Sequence, residues 1–380
     1  MVLIMMTIIK SSLWNMEPAF ADENIYKEMN KHALIALPAN ILSTIEMPIE
    51  LHQKWEQDIL RHFSYYCNYV YLQNSLPIPV PYVILKGTSA AQYYPYPKLR
   101  TMGDIDIITK REDYDCACMQ LIDNGFIETT SLADKERGRH RSFVKDKYIV
   151  EMHAFFASMN DVDKAKYFDD LVVNNINEGH VLPDMINGLV LIEHINQHME
   201  EGVGLRQIID WMMFVDKCLP DEKWAEFQEY ARKTGLEPLA IAVTRMCELY
   251  LGLREHEWCS AVDEGLCSEL MDYILACGNF GRKVDPNQKM AVSRAIELNH
   301  PIRLLKELQT RGVSNWEAAR NPFLRPFAWI WQGMQFTKNS LEVIEQYGKA
   351  TKLDTMFDVL GVRRSKNGIV YYKDGEYYKK

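Results

Sequence analysis

Apolar positions at steps of three and four dominate the first 76 residues. Leu51, Trp55, Ile59, Leu60, Phe63 and Cys67 predict one long amphipathic helix over 50–76. The apolar run 1–9 predicts an earlier helix ending near Pro18. No basic residue precedes that run and Lys10 follows it at once, a layout unlike a secretory leader. Three prolines within 77–81 stop the long helix. The period then shortens. Strands are expected at 82–85, at 103–108, at 126–130, and at 141–144 with 148–153, the last two joined by Lys145-Asp146-Lys147. Between them, helical turns are expected at 90–94, a helix at 112–124 stopped by Asn124-Gly125, and a charged loop at 131–140. From Asp161 the helical period returns, with helices expected at 183–199, 205–219, 221–234, 238–251, 260–277, 300–310 and 339–358. The aromatic stretch Phe323–Phe336 reads as a further buried helix. Lys366-Asn367-Gly368 and Lys373-Asp374-Gly375 flank a terminal β-hairpin.

The fold class is therefore α+β. An N-terminal helical segment (1–76) precedes a small mixed β-sheet domain (77–160). A larger all-α domain (161–360) and a hairpin tail (361–380) follow.

Composition narrows the function classes only a little. The hydrophobic share of 47% suits an ordinary globular chain with a sizeable core. A net charge of −9 and a pI of 5.7 argue against broad nucleic-acid binding. The eight cysteines are scattered without paired metal-ligand spacing, which suits free thiols in a reducing cytoplasm. With no apolar run of membrane-spanning length, no membrane span is expected.

The stretch that carries chemistry is Gly103-Asp104-Ile105-Asp106-Ile107-Ile108. On a strand, Asp104 and Asp106 share one face while Ile105 and Ile107 point into a core. Adjacent like charges call for a divalent cation or a nearby Arg or Lys between them. Glu151, on a later strand of the same sheet, offers a third carboxylate. Three carboxylates converging from two strands match what two Mg²⁺ ions need at a phosphoryl or nucleotidyl transfer centre. Gly87, at the end of the first strand, lets the backbone approach phosphate oxygens. The N–H groups of Thr88 and Ser89, opening the next helix, suit an anion.

Residues 82–153 resemble the polymerase-β-like nucleotidyltransferase superfamily: an apolar strand, a Gly turn, a helix, Asp-x-Asp on a strand and a later acidic residue. More narrowly, Leu85-Lys86-Gly87, Tyr94, Pro95, Pro97, Leu99-Arg100, Gly103–Asp106 and Glu151-Met152-His153 are similar to a bacterial family of uncharacterised nucleotidyltransferases. The helical stretch Pro183–Trp211 is similar to that family as well. The chain departs from the superfamily pattern in its Lys86 and Thr88 around the Gly, in Ser89 falling one place late, and in a longer Gly-to-Asp spacing. The resemblance implies a nucleotidyltransferase-like catalytic domain that uses an NTP such as ATP with two Mg²⁺ ions. Asp104, Asp106 and Glu151 would be its catalytic and metal-binding residues. Lys86, Gly87, Thr88, Ser89 and Arg100 would surround the nucleotide. A helical domain would close over it, its His194, His198, Arg206 and Asp210 lining the cleft. No motif names the acceptor, which could be a small molecule, a sugar or a protein.

Several of these residues have second readings. Lys86 and Arg100 either neutralise the acidic cluster or contact triphosphate. Glu151 has cross-hairpin partners available in Arg141 and Lys145. His153 reads as a hydrogen-bonded neighbour of the metal site. His194 and His198 share a helix face, but Ile195 stands where a metalloprotease helix has Glu, so a structural role is favoured. Arg206 and Asp210 are spaced to pair with each other. Three rival functions follow: an inactive nucleotide- or partner-binding module on the same fold; a metal-dependent phosphohydrolase at His194, His198 and Asp210; and transfer of a phosphorylated alcohol to a glycan.

Overall fold

The computed structural model describes residues 2–16, 20–200, 202–278, 350–364, 367–373 and 376–379. Helix α1 (Val2–Trp14) and α2 (Glu23–Lys31) lead to α3 (Ile49–Asn74), which buries Leu51, Trp55, Ile59 and Tyr69 and ends before Pro77. Asp22 caps α2, its carboxylate accepting from the N–H groups of Asn24 and Ile25.

Five strands follow: β1 (Tyr82–Ile84), β2 (Ile105–Thr109), β3 (Ile127–Glu128), β4 (His140–Lys145) and β5 (Tyr148–His153). Their order across the sheet is β1-β2-β5-β4-β3. The β2–β5 pair is parallel and the others are antiparallel. Helix α4 (Thr88–Ala91) follows β1, and α5 (Tyr114–Asp123) links β2 to β3. Ile105, Ile107, Val150 and Met152 pack with Ala117, Cys118 and Leu121 of α5, so one face of the sheet is apolar as the alternation predicts. On the opposite face stand the polar residues of the same strands.

The charged segment 131–140 is not simply a loop. It holds the short helix α6 (Leu132–Arg137), capped by the Ser131 hydroxyl, which accepts from the Asp134 N–H at 3.1 Å. Gly138, at φ +68°, ends it. A charged single turn has no apolar stripe, which is why periodicity misses it.

Helices α7 (Val162–Asn174), α8 (Asp184–Met199), α9 (Leu205–Cys218), α10 (Asp221–Thr234), α11 (Glu237–Leu251) and α12 (Glu264–Cys277) form the helical part. Buried residues run round nearly all of α8 and α9, marking them as central. Val83, Leu85, Ile108 and Phe156 join the sheet to this core. Helix α1 is tied to α11 by the Trp14 indole, which donates to the Leu251 carbonyl at 2.8 Å.

Helix Ala350–Val359 adds Phe357 to the core. The tail forms an antiparallel hairpin of β6 (Val370–Lys373) and β7 (Glu376–Lys379), as its turn signals predict. It docks through Tyr377, whose hydroxyl donates to Asp169 Oδ2 at 2.8 Å and accepts from Arg111 Nη2 at 2.7 Å. The helix expected at 300–310, the start of that expected at 339–358, and the aromatic stretch 323–336 lie outside the described residues. All eight cysteines are free. Among the described residues no helix is long and apolar enough to cross a membrane.

Candidate functional site

Register makes the site. Asp106 of β2 lies directly beside Glu151 of β5, and His153 stands two positions further along β5. A two-residue turn at Asp146 and Lys147, with Asp146 at φ +54°, sets the β4–β5 register so that His140 faces His153. Asp106, Glu151 and His153 thus project from the face opposite the α5-covered isoleucines. One donor atom from each lies within 4.8 Å of the others.

Two donors converge on a single oxygen of Asp106. Lys86 Nζ is 2.8 Å from Oδ1, and His153 Nε2 is 2.9 Å from the same atom. Oδ2 is buried and has no hydrogen-bond partner. Burial alone would raise the Asp106 pKa, but the Lys86 ammonium and the His153 hydrogen bond more than offset it and hold the carboxyl well below its ordinary value. Burial lowers the Lys86 pKa, while Asp106, Asp104 and Glu151 raise it, with a net rise. Lys86 therefore stays charged and balances the acidic cluster. His153 and His140 are each lowered to about 4 by burial, so both rings are neutral near pH 7.

Glu151 behaves in the opposite sense. Burial and then the charges of Asp106 and Asp104 raise it to about 8. His140 Nε2 lies 3.8 Å from its Oε1 and His153 Nε2 lies 3.7 Å from its Oε2. The cross-hairpin partners considered for it are engaged elsewhere. Arg141 pairs with Glu128 at 2.6 Å, and Lys145 donates to the Asn124 carbonyl.

A carboxylate oxygen buried without a donor, beside a second carboxylate that resists ionising, is the donor set a divalent cation would complete. The residues present fit such an ion. Asp104 precedes the first residue of β2 and stands outside the tight three-residue group. Its charge still bears on Glu151, Lys86, Tyr69 and Arg206. The Tyr69 hydroxyl donates to the Asp104 carbonyl at 3.0 Å and fixes the entry to the strand.

Gly87 has φ +60°, and a Cβ there would collide with that same hydroxyl. Its neighbours are engaged in packing: Thr88 Oγ1 donates to Gln73 Oε1 at 2.7 Å, and Ser89 Oγ donates to Asn187 Oδ1 of α8 at 2.7 Å.

Asp210 takes strong partners from outside α9, while its charge also bears on Arg206. It accepts from Arg100 Nε and Nη2, each at 2.7 Å, and from the Tyr94 hydroxyl at 2.9 Å. Arg100, expected near the nucleotide, is thereby held in a buried bidentate pair that ties the loop before β2 to α9. Arg206 Nη1 donates to the Thr101 carbonyl at 3.1 Å, on the same loop. His194 and His198 lie with ring centroids 5.0 Å apart. Both are pushed well below their ordinary value by burial and then by the Lys86 charge, so both rings are neutral near pH 7.

Sequence reasoning did not single out Tyr69, Arg137, Arg139 or His140. For His140 the alternation of β4 against β5 holds the signal once the turn is set at two residues. For Tyr69 no local signal exists, since its partner is 35 positions away.

A mixed sheet that sets an Asp and a Glu side by side, behind a Gly turn and against a helical body, is an arrangement suited to phosphoryl transfer. The chain belongs to a family described as uncharacterised nucleotidyltransferase, which matches residues 19–252. The match spans α2 to α11 and includes Lys86, Asp104, Asp106, Glu151 and His153. No curated protein and no solved structure matches the chain.

Proposed function

We infer that the protein is a Mg²⁺-dependent nucleotidyltransferase that moves NMP from an NTP to an acceptor hydroxyl. The observation that carries this reading is the buried, donor-free Oδ2 of Asp106 in register with Glu151. Asp106 and Glu151, with Asp104 at the strand mouth, would hold two Mg²⁺ ions. Bound there, the cations would neutralise triphosphate charge and lower the pKa of the attacking hydroxyl.

The chain's own groups do the rest. His153 orients Asp106 through its 2.9 Å hydrogen bond. Lys86 keeps the acidic pair compatible with burial until substrate arrives. Gly87, lacking a side chain, leaves room for close backbone approach. In the reaction the acceptor oxygen bonds to the α-phosphorus, the bond from that phosphorus to the bridging oxygen breaks, and pyrophosphate leaves. Glu151, ionised once the cations are bound, would help draw the proton off the attacking hydroxyl, and that proton passes on to solvent.

Asp210 is engaged by Arg100 and Tyr94, which weakens the phosphohydrolase alternative centred on His194, His198 and Asp210. The test is transfer of label from an α-labelled NTP pool to candidate acceptors. Wild-type protein should form labelled product and release pyrophosphate, and Asp104→Asn/Asp106→Asn should abolish both. Product formation that survives the double substitution would sink this reading.

A further inference from the structure

Three arginines gather beside the carboxylates, and none makes an ion pair among the described residues. Arg137 and Arg139 flank Gly138 at the junction of α6 and β4, and Arg363 comes from the segment after helix Ala350–Val359. Arg137 Nε donates to the Val370 carbonyl at 3.3 Å, Arg139 Nη2 to the Phe156 carbonyl at 3.1 Å and Arg363 Nη1 to the Gln197 carbonyl at 3.2 Å. Beyond these single carbonyl contacts, Arg137 Nη2, Arg139 Nε and Arg363 Nε are shielded from solvent without a hydrogen-bond partner. Guanidinium N–H groups left in that state are costly unless an anion completes them. The three are also close enough to repel. Burial, then the charges of Arg139 and Arg363, bring Arg137 down to about 9, and burial, then Arg363, lowers Arg139.

The cluster is built rather than incidental. The Arg363 N–H donates to Asn196 Oδ1 and the Arg364 N–H to Asn160 Oδ1, each at 2.7 Å, which fastens the segment to the helical core. The Tyr372 carbonyl of the hairpin presses on Gly138, where any Cβ would clash. Of the carboxylates whose charge bears on Arg139, Glu151 belongs to the catalytic face, and the other two are committed elsewhere. Glu193 accepts from Ser158 and Asn196, and Asp169 accepts from the Phe156 and Ala157 N–H groups and Tyr377.

Phe156 links this cluster to the catalytic face. Its ring lies 5.7 Å from Arg139 Cζ, 5.9 Å from Lys86 Nζ and, centroid to centroid, 5.3 Å from His153. Arg363 also lines a cleft of about 580 Å³ with Lys164 and Lys379 as well as Asp161 and Asp358.

We propose that Arg137, Arg139 and Arg363 form a subsite for the phosphate of a phosphomonoester acceptor, beside the carboxylates that activate its hydroxyl. The assignment to the acceptor rests on the transferase reading and on position. Lys86 and Gly87 follow β1 at one edge of the sheet, whereas Arg139 precedes β4 on the far side of Glu151. Arg363 further lies outside the residues that match the family, as suits a group that recognises this chain's own acceptor. Planar guanidiniums with several free N–H groups match a tetrahedral phosphate better than a single ammonium would.

The test uses the full chain and two probes, inorganic phosphate and a non-hydrolysable NTP mixture with Mg²⁺. Phosphate should raise the melting temperature of the wild type, and Arg139→Gln and Arg363→Gln should each weaken phosphate binding about tenfold or more. Nucleotide affinity should hold in Arg363→Gln. Asp106→Asn should lose label transfer yet keep phosphate binding, which separates failure of the subsite from failure of the transferase reading. Should Arg139→Gln not fold, Arg363→Gln and Arg363→Lys carry the comparison, the lysine restoring part of the affinity. A wild type that does not respond to phosphate, or variants that bind it as well as the wild type does, overturn the subsite. Joint loss of phosphate and nucleotide affinity in Arg363→Gln overturns the acceptor assignment and gives the cluster to the triphosphate. Phosphate binding by a wild type that transfers no label removes the acceptor role as well.

Discussion

Glu151→Gln should stabilise the metal-free protein above neutral pH. Burial and the charges of Asp106 and Asp104 keep the Glu151 proton bound up to about pH 8, against an ordinary value of 4.5. Its folded pKa therefore lies above its unfolded one. The stability tied to that proton is complete below pH 4.5 and is lost as pH rises through about 8. Each pH step inside this window is worth roughly 1.4 kcal/mol. At pH 7 the wild type therefore forfeits about 3 kcal/mol, an upper figure because solvent reaches part of the carboxylate and screens it. Gln keeps the shape without the ionisable group, so the variant lacks this contribution to the pH dependence across the same window. Urea denaturation in chelator at about pH 5 and about pH 8.5 reads the difference, the two proteins diverging only at the higher pH. Added Mg²⁺ should then favour the wild type, since the ion replaces the proton on Glu151. A variant no more stable than wild type at the higher pH would refute the reasoning.

Three further outcomes are expected. Gly87→Ala should cost about 1–3 kcal/mol in denaturant unfolding, from the positive φ and the collision with Tyr69, and Tyr69→Phe in the same chain should recover only the collision part. Arg100→Met should cost about 3–5 kcal/mol by leaving Asp210 buried and unpaired, whereas Arg100→Met/Asp210→Leu should cost far less than the two single changes added together. His153→Ala should weaken Mn²⁺ binding about 10- to 100-fold in a titration, through loss of the contact that orients Asp106.

What the sequence made legible was local, and the physical reason is the periodicity of the backbone. A period of two at 103–108 was enough to assign Ile105 and Ile107 to a core and Asp106 to the opposite face, and the packing against α5 agrees. Asp106 and Glu151 could be placed on one face from that pattern, because strand residues advertise their face, whereas Asp104 falls one place before β2 and outside the tight group. Pairings between distant segments leave no such trace. Nothing around Arg100 points to Asp210, 110 positions on, so spacing along α9 offered Arg206 alone and missed the bidentate partner. Neither Arg139 nor Arg363 sits in a motif that singles it out along the chain. Their meaning arises only because the hairpin and the segment before it fold back onto Gly138, Asn160 and Asn196. The same logic separates two kinds of function in this molecule. The carboxylates sit on adjacent strands within the family-matched body and are written into short-range pattern. The arginines are assembled from both sides of that body's C-terminal limit, which is where recognition of a particular acceptor can vary without disturbing the chemistry.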